Sequence, residues 1–262
     1  MKAVIFAGGK GTRLMEETYT RPKPMVEIGG MPILWHIMKI YADQGVDEFV
    51  VCLGHKGYFI KSWFLNHRVH GSDIEIDLRE DTVTMHNRRS DPWKVTLVET
   101  GEESLTATRL RIASKYLTPG ETFCLTYGDG VGNVDIKASI AAHKASVARG
   151  ERLATVTVVQ PEGRFGAVNI EGDKAMDFWE KPQGDGHWIN AGFFVLEPEA
   201  LDFVPADQDL LWEHAPLRGL ATSGKLGVWR HKGFWRPMDT LRDKQSLEGL
   251  WESGEAPWKT WK

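Results

Sequence analysis

The sequence predicts an α/β fold in which a mostly parallel sheet is flanked by helices. Three observations carry this expectation. Residues 3–7 form an unbroken apolar run that opens directly into Gly8-Gly9-Lys10-Gly11, the pattern of a buried strand that leaves its sheet through a glycine loop. Helix-period and strand-period segments then alternate through the first half of the chain. Beyond Pro161 helices become sparse and glycines frequent, which suggests an inserted β region.

The elements follow in order. A helix is expected over 32–45, with proline in its first turn, glycine at its end, and Ile33, Leu34, Ile37, Met38 and Tyr41 recurring at helical spacing. A strand over 47–53 and a helix over 56–65 complete a βαβα opening. Residues 73–78 and 82–86 alternate with period two across a short polar turn, which predicts a hairpin added to the parallel sheet. Strands are expected over 94–98 and 121–126, a helix from the polar connection at 100–109 through Tyr116, a helix over 135–150 and a strand over 153–159. Shorter strands follow at 167–170 and 175–179, and a helix from Thr240 to about Trp251, with Asp239 placed as its N-cap.

Length and composition narrow the function classes. A chain of 262 residues is long enough to bury a large core in one or two domains. Its net charge of −4 argues against a general nucleic-acid binder, so any basic site must be local. Cys52 and Cys124 each sit inside an apolar strand-like run and are expected as buried, reduced thiols. No apolar run reaches the roughly 18 residues that span a bilayer, and the N-terminus enters a strand without a signal-peptide pattern, so no membrane partner and a cytoplasmic location are expected.

The chemistry concentrates near the N-terminus. Glycines let successive backbone N–H groups turn toward one point, and Thr12 and Arg13 add a hydroxyl and a guanidinium fork, a combination suited to a phosphate chain. Lys23 lies between Pro22 and Pro24, whose rings leave it few backbone conformations. A dinucleotide loop is excluded because its third glycine is missing, Leu14 ending the run, and no acidic residue follows the second strand; a P-loop fails for want of Gly-Lys-Ser/Thr at the required spacing. Asp129, between Gly128 and Gly130 at a strand's carboxyl end, stands where ligands of open α/β sheets collect, although a turn aspartate bonding its own backbone would look the same.

The segment from Ala7 to Leu14 followed by Pro22-Lys23-Pro24-Met25 resembles the signature of sugar-1-phosphate nucleotidylyltransferases. Residues 26–38 are similar to the glucose-1-phosphate cytidylyltransferases among them. The likeness continues through 127–130, 163–166, 180–182, 189–194 and 237–244, and so spans nearly the whole chain. The resemblance implies a Rossmann-like, mostly parallel mixed sheet of the nucleotide-diphospho-sugar transferase type. It also implies a single domain over 1–262, with a nucleotide-binding part at about 1–160 and a sugar-binding part with the C-terminal helix at about 161–262.

It further implies a reaction of CTP with α-D-glucose 1-phosphate that gives CDP-glucose and pyrophosphate, for CDP-linked deoxysugars of surface polysaccharide such as O-antigen, in a homo-oligomer. By the same resemblance Ala7, Gly8, Gly9, Gly11, Thr12, Arg13, Lys23, Gly101, Arg109, Gly128 and Asp129 bind the nucleotide, with Lys23 and Arg13 catalytic and Arg109 lying against the pyrimidine. Tyr127, Glu180, Lys181 and Asn190 bind the sugar phosphate, and Asp129 with Asp239 holds Mg2+. Ala107 and Thr108 stand where the similar proteins usually carry two glycines, which adds bulk beside the base and keeps UTP, dTTP or another hexose phosphate open. A non-catalytic nucleotide-sugar-binding subunit is the alternative of a different class; it would have no need of Arg13, Lys23, Asp129, Lys181 and Asp239 together.

Overall fold

The computed structural model describes residues 1–87, 91–161, 167–179 and 187–261. In chain order the strands are β1 (Lys2–Phe6), β2 (Glu27–Ile28), β3 (Met31–Pro32), β4 (Glu48–Leu53), β5 (Asp73–Asp77), β6 (Thr82–His86), β7 (Lys94–Glu99), β8 (Phe123–Tyr127), β9 (Gly130–Gly132), β10 (Ala154–Val159), β11 (Ala167–Glu171), β12 (Lys174–Trp179), β13 (Ile189–Leu196), β14 (Leu226–Arg230) and β15 (Trp235–Pro237). The helices are α1 (Met15–Thr18), α2 (Ile33–Asp43), α3 (Gly57–His70), α4 (Thr106–Ala113), α5 (Ile136–Val147), α6 (Ala215–Thr222) and α7 (Leu241–Glu252).

Seven strands form one sheet in the order β14-β10-β13-β8-β1-β4-β7. Strand β13 runs antiparallel to both neighbours and every other pairing is parallel, so the expected mostly parallel mixed sheet is present. The chain steps from β1 outward to β4 and β7, then returns to place β8 on the other side of β1. That reversal opens a crevice at the carboxyl ends of β1 and β8, where the loop from Gly8 meets the loop from Gly128.

The two faces of the sheet carry separate cores. Ala3, Ile5, Val51 and Cys124 pack toward α2 and the C-terminal tryptophans, whereas Val4, Phe6, Val50 and Leu125 pack toward α4 and Trp212. This alternation along β1 explains why its sequence has no polar position: both faces are buried. The side chains of Cys52 and Cys124 are buried, and burial pushes both thiols up to about 12, which keeps them protonated and unreactive.

Several expectations need correction. The β5–β6 hairpin exists but forms a sheet of its own and does not join the parallel one. Its alternation gives an apolar face of Ile74, Ile76, Val83 and Met85, and that face is turned outward, with Ile76 and Val83 each 61% exposed. Helix α3 continues a turn past residue 65, to His70. At α7 the N-cap is Thr240, whose side chain accepts from the Asp243 N–H at 3.2 Å while Asp243 accepts from the Thr240 N–H at 2.8 Å. Asp239 is thereby released from the capping role that its position suggested. Strands β13 and β14, helix α6 and the short β9–β15 pair have no counterpart among the expected elements. No helix among the described residues is long and apolar enough to cross a membrane.

Candidate active site

The glycine loop, the Lys23 turn and the end of β8 enclose a cavity of about 230 Å3. Gly9, Gly11, Thr12, Arg13 and Lys23 line it from the N-terminal segment, and Tyr127, Gly128 and Asp129 from the β8 end. A smaller hollow of about 80 Å3 adjoins it, bounded by Tyr127, Asp129, Asn190, Gly192 and Trp235. The structure thus brings Asn190 to the far side of Tyr127 from the glycine loop. A larger cavity of about 540 Å3, between the Lys23 turn and α3, contains none of the expected site residues.

Two local devices shape the loop. Gly11 has φ +63, and the Leu14 N–H donates to its carbonyl at 3.0 Å, turning the chain into a short helical turn over Thr12–Leu14. Gly8 lies so close to Arg109 that a Cβ there would stand 2.1 Å from the guanidinium. Ala7 is buried, its N–H donating to the Cys52 carbonyl at 3.0 Å, and the Gly128 N–H donates to the Phe6 carbonyl at 2.9 Å, so the two loops leave adjacent strands still tied together.

Lys23 sits in a tight turn over Lys23–Met25, entered from an extended Pro22 and closed by Met25 N–H to the Pro22 carbonyl at 2.8 Å. The side chain is 11% exposed, and Nζ donates to Asp129 Oδ2 and to Asp239 Oδ1, both at 2.7 Å. Arg13, largely exposed, donates from Nη1 to Asp239 Oδ2 at 3.0 Å. The two aspartates meet because β9 pairs antiparallel with β15: Gly130 faces Pro237, and the Met238 N–H donates to the Asp129 carbonyl at 2.8 Å. Burial works against the charge on Lys23, but the carboxylates, Asp129 first, more than offset it and hold the ammonium above the ordinary lysine range.

Asp129 and Asp239 are also the residues suited to a divalent cation. Each places a carboxylate oxygen on one shared cation, the Lys23 ammonium, so the pair already converges on a single positive centre. A site of one or two carboxylates completed by substrate phosphates is the usual form for Mg2+. Among the described residues no cluster of three or more protein ligands forms a closed metal site.

Arg109 has different neighbours from the expected pyrimidine face. It is 4% exposed, and its guanidinium donates to the carbonyls of Leu53 (3.0 Å), Gly101 (2.8 Å), Gly8 (3.1 Å) and Glu102 (3.2 Å) and to Thr100 Oγ1 (2.7 Å). Burial draws its pKa below the ordinary arginine value. It therefore pins the glycine loop to the 100–102 segment, and Gly101, whose carbonyl accepts from Arg109, does not line the cavity. Neither Ala107 nor Thr108 lines the cavity: Ala107 belongs to the core and Thr108 Oγ1 approaches the Gln208 carbonyl at 3.5 Å. Glu180 and Lys181 lie outside the described residues, as does the 163–166 motif. Thr106, Trp235 and Pro237 line the site without having been foreseen; a threonine opening a helix after a polar connection is the signal that could have marked Thr106.

Comparison with known proteins agrees with this geometry. The nucleotidyl transferase family matches residues 2–219. A glucose-1-phosphate cytidylyltransferase of Salmonella typhi is 54% identical over 261 residues, covering 100% of both chains, and a mannose-1-phosphate guanylyltransferase catalytic subunit beta of Dictyostelium discoideum is 29% identical over 95% of this chain and 64% of its own. Among solved structures, HddC from Yersinia pseudotuberculosis superposes with a TM-score of 0.68 at 25% identity, covering 95% of this chain and 99% of HddC. The chain is therefore a nucleotidyltransferase, belonging to the nucleotidyl transferase family and to the same group as the glucose-1-phosphate cytidylyltransferase of Salmonella typhi.

Proposed function

We propose that the protein transfers a cytidylyl group from CTP to α-D-glucose 1-phosphate, giving CDP-glucose and pyrophosphate. The observation that carries this reading is the meeting of Lys23, Asp129 and Asp239 beside the glycine-lined cavity. The identity to a full-length cytidylyltransferase supports CTP and glucose 1-phosphate as the particular substrates.

The chemistry asks mainly for positive charge. A phosphomonoester has its second pKa near 6, so a sugar phosphate presents an ionised oxygen at neutral pH and needs no general base. That oxygen attacks the α-phosphorus of the nucleotide in line, the bond from the α-phosphorus to the bridging oxygen breaks, and pyrophosphate departs with the electron pair. Two unit negative charges about 4 Å apart repel by roughly 4 kcal/mol at an effective dielectric of 20, about a thousandfold in rate if left unscreened. Lys23 offsets that charge at the reacting phosphorus. Arg13 and the N–H groups of the glycine loop receive the departing pyrophosphate. Asp129 and Asp239 would hold a divalent cation, which we take to be Mg2+, and that ion would supply charge neutralisation for the nucleotide.

In this reading the hollow between Tyr127, Asn190 and Trp235 takes the hexose. The part at about 1–160 binds the nucleotide and the part at about 161–262 the sugar. We also read the protein as a homo-oligomer; the outward apolar face of the β5–β6 hairpin, an element too small to be stable unaided, supports this.

Pyrophosphate release with glucose 1-phosphate and Mg2+, compared across CTP, UTP, dTTP, ATP and GTP, tests the reading. CTP should give the highest kcat/KM. A preference for UTP or dTTP would keep the chemistry and overturn the base; no release with any nucleotide would overturn the activity.

A further inference from the structure

One ring borders both cavities. Tyr127 lines the phosphate-side cavity together with Lys23 and Thr106, and it lines the smaller hollow together with Asn190 and Trp235. Its position is determined on every side. Phe6 and Phe194 pack near it at centroid distances of 5.7 and 6.3 Å. Gly192, at φ +81, brings the β13 backbone so close that a Cβ would stand 2.6 Å from the ring. At the tip, the hydroxyl donates to Oε1 of Glu213.

Glu213 reaches this point from the loop before α6, far along the chain. Its second oxygen, Oε2, accepts from Thr106 Oγ1 at 3.2 Å, and Thr106 Oγ1 in turn accepts from the Trp212 N–H at 2.8 Å. The rest of that loop docks on the same helix start: the Leu105 N–H donates to Asp209 Oδ1 at 2.9 Å, and the Ala107 N–H to the Leu210 carbonyl at 3.0 Å. The start of α4 is thus closed by residues 209–213, and Thr106 is left facing the cavity with its hydroxyl direction set.

Glu213 is not among the residues lining either cavity, so its carboxylate reaches the site through the two hydroxyls it holds. Charged acceptors hold hydroxyl donors more tightly than neutral ones do, and Glu213 holds two donors from opposite walls at once. We infer that Glu213 is a positioning residue of the nucleotidyl transfer: by locking the Tyr127 ring to Thr106 it fixes the separation between the sugar side and the nucleotide side of the site. The inference rests on the proposed reading of the two cavities.

The test compares Glu213→Ala, Glu213→Gln, Tyr127→Phe and the Tyr127→Phe/Glu213→Ala double variant with the wild type. Loss of a hydrogen bond to a charged group corresponds to about ten- to a hundredfold in rate. Glu213→Ala should lower kcat/KM for glucose 1-phosphate by that amount. The double variant should be no worse than the poorer single one, and Glu213→Gln, which keeps a neutral acceptor for Tyr127, should recover part of the loss. Calorimetric titration with CDP-glucose, which spans both sides and needs no turnover, should show the same ranking.

Wild-type kcat/KM in a folded Glu213→Ala variant, additive losses in the double variant, or no recovery with glutamine would each overturn the positioning role. Failure of the wild type to bind CDP-glucose at all would instead remove the functional reading beneath it, and this inference with it.

Discussion

Lys23 and Asp129 are joined by a 2.7 Å ion pair that links the turn after the glycine loop to the carboxyl end of β8. Two segments 106 residues apart in the chain are thereby fixed across the crevice where β1 and β8 lie side by side. If that cation offsets the repulsion at the reacting phosphorus, Lys23→Ala should lower kcat by about a hundredfold or more with the fold intact. Circular dichroism and pyrophosphate release on the same preparation check this, and near-normal turnover in a folded variant would contradict it.

Asp239 is free of the capping role because Thr240 and Asp243 take it. Asp239→Asn should therefore leave α7 stable and act on the site. The Mg2+ concentration for half-maximal activity should rise about tenfold or more, while nucleotide affinity measured without metal changes much less. Superimposable metal titrations would exclude Asp239 as a ligand.

Arg109 donates to five oxygens beneath the loops at Gly8 and Gly101. Arg109→Met keeps much of the volume and leaves buried carbonyls without donors. Thermal or urea unfolding should show a loss of about 2–4 kcal/mol, with KM for the nucleotide raised through the loosened loop. A variant with unchanged stability would show that the anchoring is dispensable.

His36 is completely buried, its Nε2 bonded to the Ile28 carbonyl at 2.8 Å and its ring surrounded by Trp35, Trp251, Trp258 and Trp261. Burial lowers its pKa to about 4, outweighing the Ile28 and Met31 carbonyl contacts. The unfolded chain, with the ordinary value near 6.5, takes up a proton first as pH falls. Stability is then complete above about pH 6.5 and is lost progressively toward pH 4, by about 3 kcal/mol from this residue. His143, buried against Thr155 and Glu197, is lowered as well and acts in the same direction. Urea midpoints at pH 7 and pH 5 measure the loss, and His36→Gln should flatten it; an unaltered slope would assign the effect elsewhere.

The hairpin face of Ile74, Ile76, Val83 and Met85 should be covered by a second copy of the chain. The double variant Ile76→Glu/Val83→Glu, read by light scattering, should shift the protein to a smaller assembly. An unchanged mass would dismiss this surface as the contact.

The parts of this molecule that sequence makes visible are those whose physics is local. The apolar run of β1, the glycines behind it and the prolines around Lys23 state their conformations in a few residues, and each stands where that reading put it. Asp239 was legible as a candidate site residue only through resemblance, since its local pattern pointed to a helix cap that Thr240 in fact supplies. Thr106 and Glu213 were missed because their contacts are made with residues 86 to 107 positions away, a relation that no periodicity encodes. Arg109 was visible as a cation, but its direction is decided by the carbonyls of three separate loops.

A crystal structure with CTP, Mg2+ and glucose 1-phosphate bound tests the central claim most directly. The account predicts the triphosphate over Gly8–Gly11, its α-phosphate at hydrogen-bonding distance from Lys23 Nζ, and the metal on Asp129 and Asp239. A triphosphate seated away from these three residues would contradict it.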